Sequence, residues 1–74
     1  MEFEEFKEKV KEIVPGKRWY HVLPAVSPNC RERFLALIQV GVIMPKAYDL
    51  IEKMKDYRDE DFQRHVQVIK DSKL

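Results

Sequence analysis

The sequence predicts an all-α fold: a compact bundle of about five short antiparallel helices forming one domain over residues 1–74. Three observations carry that prediction. Apolar residues recur every three or four positions, first at Phe3, Phe6, Val10, Ile13 and Val14, later at Ile38, Leu50, Ile51, Met54, Phe62, Val66 and Ile69. This is the period of a helix with one buried stripe. Pro15-Gly16, Ser27-Pro28, Gly41 and Pro45 then divide the chain into helix-sized pieces. Finally, the composition is 45% hydrophobic and 36% charged, which suits a folded domain rather than a disordered segment.

The first helix is expected over 2–14, with Glu5 and Lys9 as a favourable i,i+4 pair and Pro15-Gly16 as its stop. A shorter helix is expected from Arg18 to Ala25, ending before or disturbed by Pro24. Ser27-Pro28 reads as a cap followed by proline at the first helical position. That start opens a third helix to Val40, with Cys30, Phe34, Leu37 and Ile38 inward and Gly41 in the left-handed closing position. Val42-Ile43-Met44 is an apolar connector, expected to be at least partly buried. Pro45 opens a fourth helix over 45–57 with Ala47, Leu50, Ile51 and Met54 inward. Asp59 is the expected cap of a fifth helix over 60–71, with Phe62, Val66 and Ile69 inward.

The predicted core is Phe6, Val10, Ile13, Leu23, Phe34, Ile38, Leu50, Ile51, Phe62, Val66 and Ile69, with Trp19 mostly buried. Strands over 19–23 and 38–44 are the competing reading, since aromatic and β-branched residues favour sheets. The helix signals on either side are the stronger.

A 74-residue chain buries roughly 60% of its unfolded surface. Cys30 is its one cysteine, so no disulfide supports it, and a reducing, cytoplasmic setting is expected. The longest apolar stretch, 34–44, is too short to span a membrane, and the acidic start does not read as a secretory signal.

No constellation for catalysis emerges. His21, His65 and Cys30 lack metal-ligand spacing, so Asp61 and His65 read as a helix-surface ion pair. Cys30 lies near a helix start beside Arg31 and Arg33, which favours a thiolate, but a small apolar packing role fits it better. Two glycines cannot build a phosphate-cradling loop, and Ser27 and Ser72 have no glycine-flanked elbow. The expectation is a non-enzyme that needs no cofactor and no metal.

Charge is more informative. The net charge is +1, but residues 17–33 carry Lys17, Arg18, Arg31 and Arg33 against Glu32, a segmental +3. Asp56, Asp59, Glu60 and Asp61 cluster further on, diluted by Arg58. These eight clustered charges, the four bases and the four acids, are the candidate partner-binding residues on a two-signed surface. Lys17-Arg18 beside Trp19-Tyr20 also has the basic-plus-aromatic character of nucleic-acid binders, and Leu35 to Met54 can be drawn as a helix-turn-helix with Gly41 in the turn. Against it, the second of those helices mixes Asp49, Glu52 and Asp56 with Lys46, Lys53 and Lys55.

The run Val42-Ile43-Met44-Pro45-Lys46-Ala47-Tyr48-Asp49-Leu50-Ile51-Glu52-Lys53-Met54, followed by Phe62, Val66 and Ile69, resembles the fourth and fifth helices of caspase-recruitment (CARD) domains of the death-fold superfamily. Val22-Leu23-Pro24 before Ser27-Pro28 is similar to their second helix and its exit, and Phe3 and Phe6 fall where a first helix would. The chain is about a helix shorter than such domains, and its link between helices three and four is more apolar. The resemblance implies a cytoplasmic signalling module that assembles with other helical domains through charged faces, without catalysis or cofactor. The expected partner is therefore a protein, with no membrane. A small nucleic-acid-binding regulator, or a phage or host regulator that inhibits a larger enzyme by binding it, are the alternatives.

Overall fold

A computed structural model describes residues 1–16 and 19–72. Helix α1 is Phe3–Ile13. Glu4 and Glu5 lie in its first turn and Lys11 in its last, each placed to complement the helix dipole. The expected Glu5–Lys9 pair forms, at 3.9 Å. The helix stops at Val14 (φ −129°, ψ 88°), because the ring of Pro15 pushes the residue before it out of the helical region. Phe6 and Val10, one turn apart, are fully buried, with Phe3 and Ile13 half-buried beside them.

The expected second helix is a 3₁₀ helix, Tyr20–Ala25; Arg18, its predicted start, lies outside the described residues. The tighter i→i+3 pattern suits a short segment containing Pro24. Val22 N–H donates to the Trp19 carbonyl at 3.0 Å, and Val26 N–H to that of Leu23 at 3.1 Å. Leu23 and Val26 are buried, and the Tyr20 hydroxyl donates to the Val14 carbonyl at 2.8 Å, tying this turn to the end of α1. Trp19 is not the core anchor expected of it. It adopts a left-handed backbone (φ 71°) before the 3₁₀ helix, packs its ring 5.8 Å from that of His21, and remains 37% exposed. Leu23 and Val26 fill the core in its place.

The expected third helix begins with a 3₁₀ turn, Pro28–Cys30, that runs directly into α2, Arg31–Gln39. Ser27 makes no side-chain cap; its carbonyl accepts from Cys30 N–H at 2.9 Å. Phe34, Leu35, Leu37 and Ile38 are all buried, a face too wide for a surface helix, because α2 packs against both α1 and the next helix. Leu35 thus joins the core, while Cys30 is only half-buried.

Gly41 closes α2 as predicted, with φ 93°. Its N–H donates to the Ile38 carbonyl at 3.0 Å, and Val42 N–H reaches back to that of Leu37 at 3.1 Å. This paired pattern is a Schellman closure, which requires the left-handed residue that glycine adopts without steric cost.

Helix α3 is Met44–Lys53, with Pro45 in its first turn. Met44, Ala47, Ile51 and Met54 are buried at helical spacing, and Leu50 is half-buried at the margin. The helix ends four residues before the predicted 57. Arg33 explains the early stop. Its Nη1 donates to the Met54 carbonyl at 2.9 Å and its Nη2 to that of Tyr57 at 2.7 Å. Tyr57 N–H also donates to the Met54 carbonyl at 3.0 Å, so the terminal carbonyls are satisfied by a turn and a guanidinium instead of by further helix.

Helix α4 is Asp59–Asp71, with Phe62 and Val66 buried and Ile69 half-buried. Asp59 is not its cap: Arg58 holds that position without a side-chain bond, and the Asp59 carboxylate accepts from Arg33 instead. Acids at Asp59, Glu60 and Asp61 still sit where the helix dipole favours them.

The all-α bundle is thus as predicted, with no strand among the described residues. Phe6 and Phe34 meet edge to face, 5.6 Å between centroids at 72°, joining α1 to α2. With Phe62 under Arg33, these rings link three of the four α-helices.

Candidate interaction surface

The eight charges expected to bind a partner are not equally available. Arg33 is 17% exposed and fully engaged within the chain. Besides two backbone carbonyls it holds the Asp59 carboxylate at 3.0 Å, and its guanidinium lies 4.9 Å over the Phe62 ring. The basic and acidic segments of the sequence therefore meet inside one molecule, at this pair. Arg31 is also turned inward. Its Nη1 donates to the Met1 carbonyl at 2.8 Å, and its guanidinium lies 5.6 and 5.8 Å from the Phe3 and Phe6 centroids. Both arginines fasten α2 to its neighbours, one at each side.

Asp56 and Glu60 are exposed, and Asp61 is half-buried with Arg64 at 3.6 Å. Asp61 thus pairs with Arg64 and not with His65 as expected; the His65 ring packs edge-on to Tyr57, 6.5 Å between centroids. Lys17 and Arg18 lie outside the described residues. Among the described residues no group of three or more His, Cys, Asp or Glu is placed to hold a metal ion, and no helix is long and apolar enough to cross a membrane.

Sequence reasoning missed the exposed apolar residues. Ile43 is 65% exposed, Val68 62% and Tyr57 43%. Val68 was legible: it falls between Val66 and Ile69 but off the buried stripe of α4. Ile43 is the extended residue that precedes α3 (φ −69°, ψ 151°), where the chain turns outward before Met44 turns in. The apolar link is therefore only partly buried, with Val42 half-covered and Met44 inside.

These residues fall into two surface depressions. Tyr57 and Val68 line a shallow one with Asp61, Arg64 and His65. Ile43 and Trp19 line the other, an open groove of about 380 Å³ floored by apolar residues from the end of α1 and the α2–α3 turn.

No family model, curated protein or solved structure matches the chain.

Proposed function

We propose that the chain is a small helical interaction module, not an enzyme, which docks on another protein through complementary charged faces. A second helical domain, another copy of this chain included, fits that description. The acidic residues of this surface are Asp56, Asp59, Glu60 and Asp61, and its basic candidates Lys17 and Arg18 lie outside the described residues. Arg31 and Arg33 contribute mainly by holding the fold that presents these charges. The observation that carries this reading is the placement of exposed Tyr57 and Val68 in one depression with the charged side chains of Asp61 and Arg64. An apolar centre with a charged rim is the make-up of a protein interface. Its charges set register and association rate more than total affinity. The resemblance to caspase-recruitment domains, and with it a cytoplasmic signalling role, belongs to this reading. A regulator that binds and inhibits a larger enzyme would use the same face.

Nucleic-acid binding is the second reading, favoured by one feature: α2, the Gly41 turn and α3 follow one another as in a helix-turn-helix. The exposed positions of α3, Lys46, Asp49, Glu52 and Lys53, carry both signs, whereas a groove-reading helix is one-sidedly basic. A salt titration separates the two. DNA or RNA binding would weaken with a slope near the number of phosphates contacted. Absence of binding to any duplex or single strand at low salt removes the second reading. Steep, saturable nucleic-acid binding removes the first.

A further inference from the structure

Tyr57, Asp61, Arg64 and Val68 follow one another at spacings of four, three and four residues. That is the spacing of the a and d positions along a seam between two packed helices. Asp61, Arg64 and Val68 lie within α4. Tyr57 precedes the helix and joins them through its edge-on contact with His65, so that all four line one depression. This stripe is distinct from the buried one of Phe62 and Val66, and the described residues leave it open, with Val68 62% and Tyr57 43% exposed.

The order of residues along the stripe selects its occupant. It reads apolar, acid, base, apolar. When the stripe is turned end for end and faced with itself, Asp61 comes opposite Arg64 of a second copy. Tyr57 comes opposite Val68 of that copy, and a two-fold axis repeats both contacts. Both pairs are centred between Phe62 and Gln63, so one register satisfies them together. A parallel pairing in register sets Asp61 against Asp61 and Arg64 against Arg64, which repel. Within one molecule Asp61 and Arg64 are only loosely joined, at 3.6 Å with the Arg64 side chain 76% exposed. An exposed pair of this kind contributes little, so both charges can bond to a second copy. Of the neighbouring acids, Asp59 is held by Arg33, and Glu60 lies off the stripe, one turn before Arg64.

We propose that the chain forms a two-fold symmetric dimer in which α4 pairs antiparallel with α4 of a second copy. The interface is isologous: each copy offers the same stripe, and each contact occurs twice. Tyr57 and Val68 supply its apolar part, and the two Asp61–Arg64 pairs fix orientation and register. The inference rests on the interaction reading in taking this depression as a docking surface, and adds the occupant and its direction. A helix of 13 residues is about 20 Å long. Two such helices cover less than the roughly 800 Å² per partner of a standard interface, so the dissociation constant is expected between micromolar and millimolar.

Sedimentation equilibrium of the intact chain, from micromolar to millimolar concentration, tests the proposal. The parent should follow a monomer–dimer equilibrium. Asp61→Arg and Arg64→Asp each set like charges opposite one another, and each should weaken dimerisation at least about tenfold, a change of about 1.4 kcal/mol. An equimolar mixture of these two variants should dimerise again, because every facing pair then has opposite sign. The chain carrying both substitutions should dimerise with itself for the same reason. Val68→Glu should weaken the dimer as well. Circular dichroism of each variant should match the parent. If Asp61→Arg disturbs the helical spectrum, Arg64→Asp and Val68→Glu, both at exposed positions, carry the expected loss.

A parent that stays monomeric at millimolar concentration overturns the proposal. So does self-association that persists in Asp61→Arg and Arg64→Asp, which would place the contact elsewhere. Loss in the single variants without recovery in the mixture overturns the antiparallel register. The interaction reading fails separately, and only if the parent also captures no other protein.

Discussion

Removing the Arg33 guanidinium should destabilise this protein far more than its place in a basic segment suggests. Arg33→Ala deletes two charge-assisted hydrogen bonds to the Met54 and Tyr57 carbonyls and a cation–π contact with Phe62. The Met54 carbonyl keeps its bond from Tyr57 N–H, so it is not orphaned, and water replaces the donor at the Tyr57 carbonyl. The two hydrogen bonds together then contribute roughly 1–2 kcal/mol net, below the usual value for charged donors because neither acceptor is left dry. The ring contact, partly shielded from water, adds about 0.5–1 kcal/mol. The Asp59 pair adds little, since its carboxylate is almost fully exposed. The total is roughly 1.5–3 kcal/mol, which for a domain of this size lowers Tm by about 6–24 °C. Thermal unfolding followed by circular dichroism measures it. Asp59→Asn, which leaves the carbonyl bonds in place, should shift Tm by only a small part of that. Arg33→Lys should fall between, since lysine keeps the charge but not the planar two-pronged donor. If Arg33→Ala lowers Tm no further than Asp59→Asn, the guanidinium is not what ends α3 and fastens α2 to it.

Other substitutions test other parts of the fold. Phe34→Ala, at the fully buried centre of α2, should cost about 3–5 kcal/mol by denaturant titration, a large share of the roughly 4–11 kcal/mol available to a chain this long. Gly41→Ala should cost about 1–2 kcal/mol, because the Schellman closure holds this residue at φ 93°. Cys30→Ser should leave partner binding unchanged and cost only stability, since its thiol is half-buried and has no assembled site around it.

Helical periodicity made the bundle legible. It placed Phe6 and Val10 on α1, Phe34 and Ile38 on α2, and Phe62 and Val66 on α4, all of which are buried. Gly41 was legible for a local reason: a helix closing on a left-handed residue favours glycine whatever the tertiary setting. Two of the errors, at the end of α3 and at Asp59, share an origin in contacts between elements distant in sequence, and the third is local. Nothing near Lys53 announces that α3 stops there; the cause is Arg33, about twenty residues earlier. Asp59 has the chemistry of a cap, yet the same arginine claims its carboxylate. Trp19 has the bulk of a core residue, but a one-residue left-handed turn takes it out of the core.

The candidate site was legible only as a count of charges. Linear charge distribution cannot tell a guanidinium that faces solvent from one that secures the fold. Arg31 and Arg33, expected as docking charges, are both bound to backbone carbonyls of other segments. Reversing them would therefore confound binding with unfolding. Asp56 and Glu60 are the cleaner probes, being exposed and outside that network.

The most direct test of a charged-face interaction module is a charge-reversal and rescue experiment read by sedimentation velocity and by capture of a purified partner. One variant carries Asp56→Lys and Glu60→Lys, the other Lys17→Glu and Arg18→Glu, each checked for an unchanged helical spectrum. The parent should associate with itself or with its partner, each variant alone should not, and mixing the two should restore association where the contact is between copies. Equal association by the parent and both variants, or a parent that stays monomeric and captures no protein, would contradict the assignment.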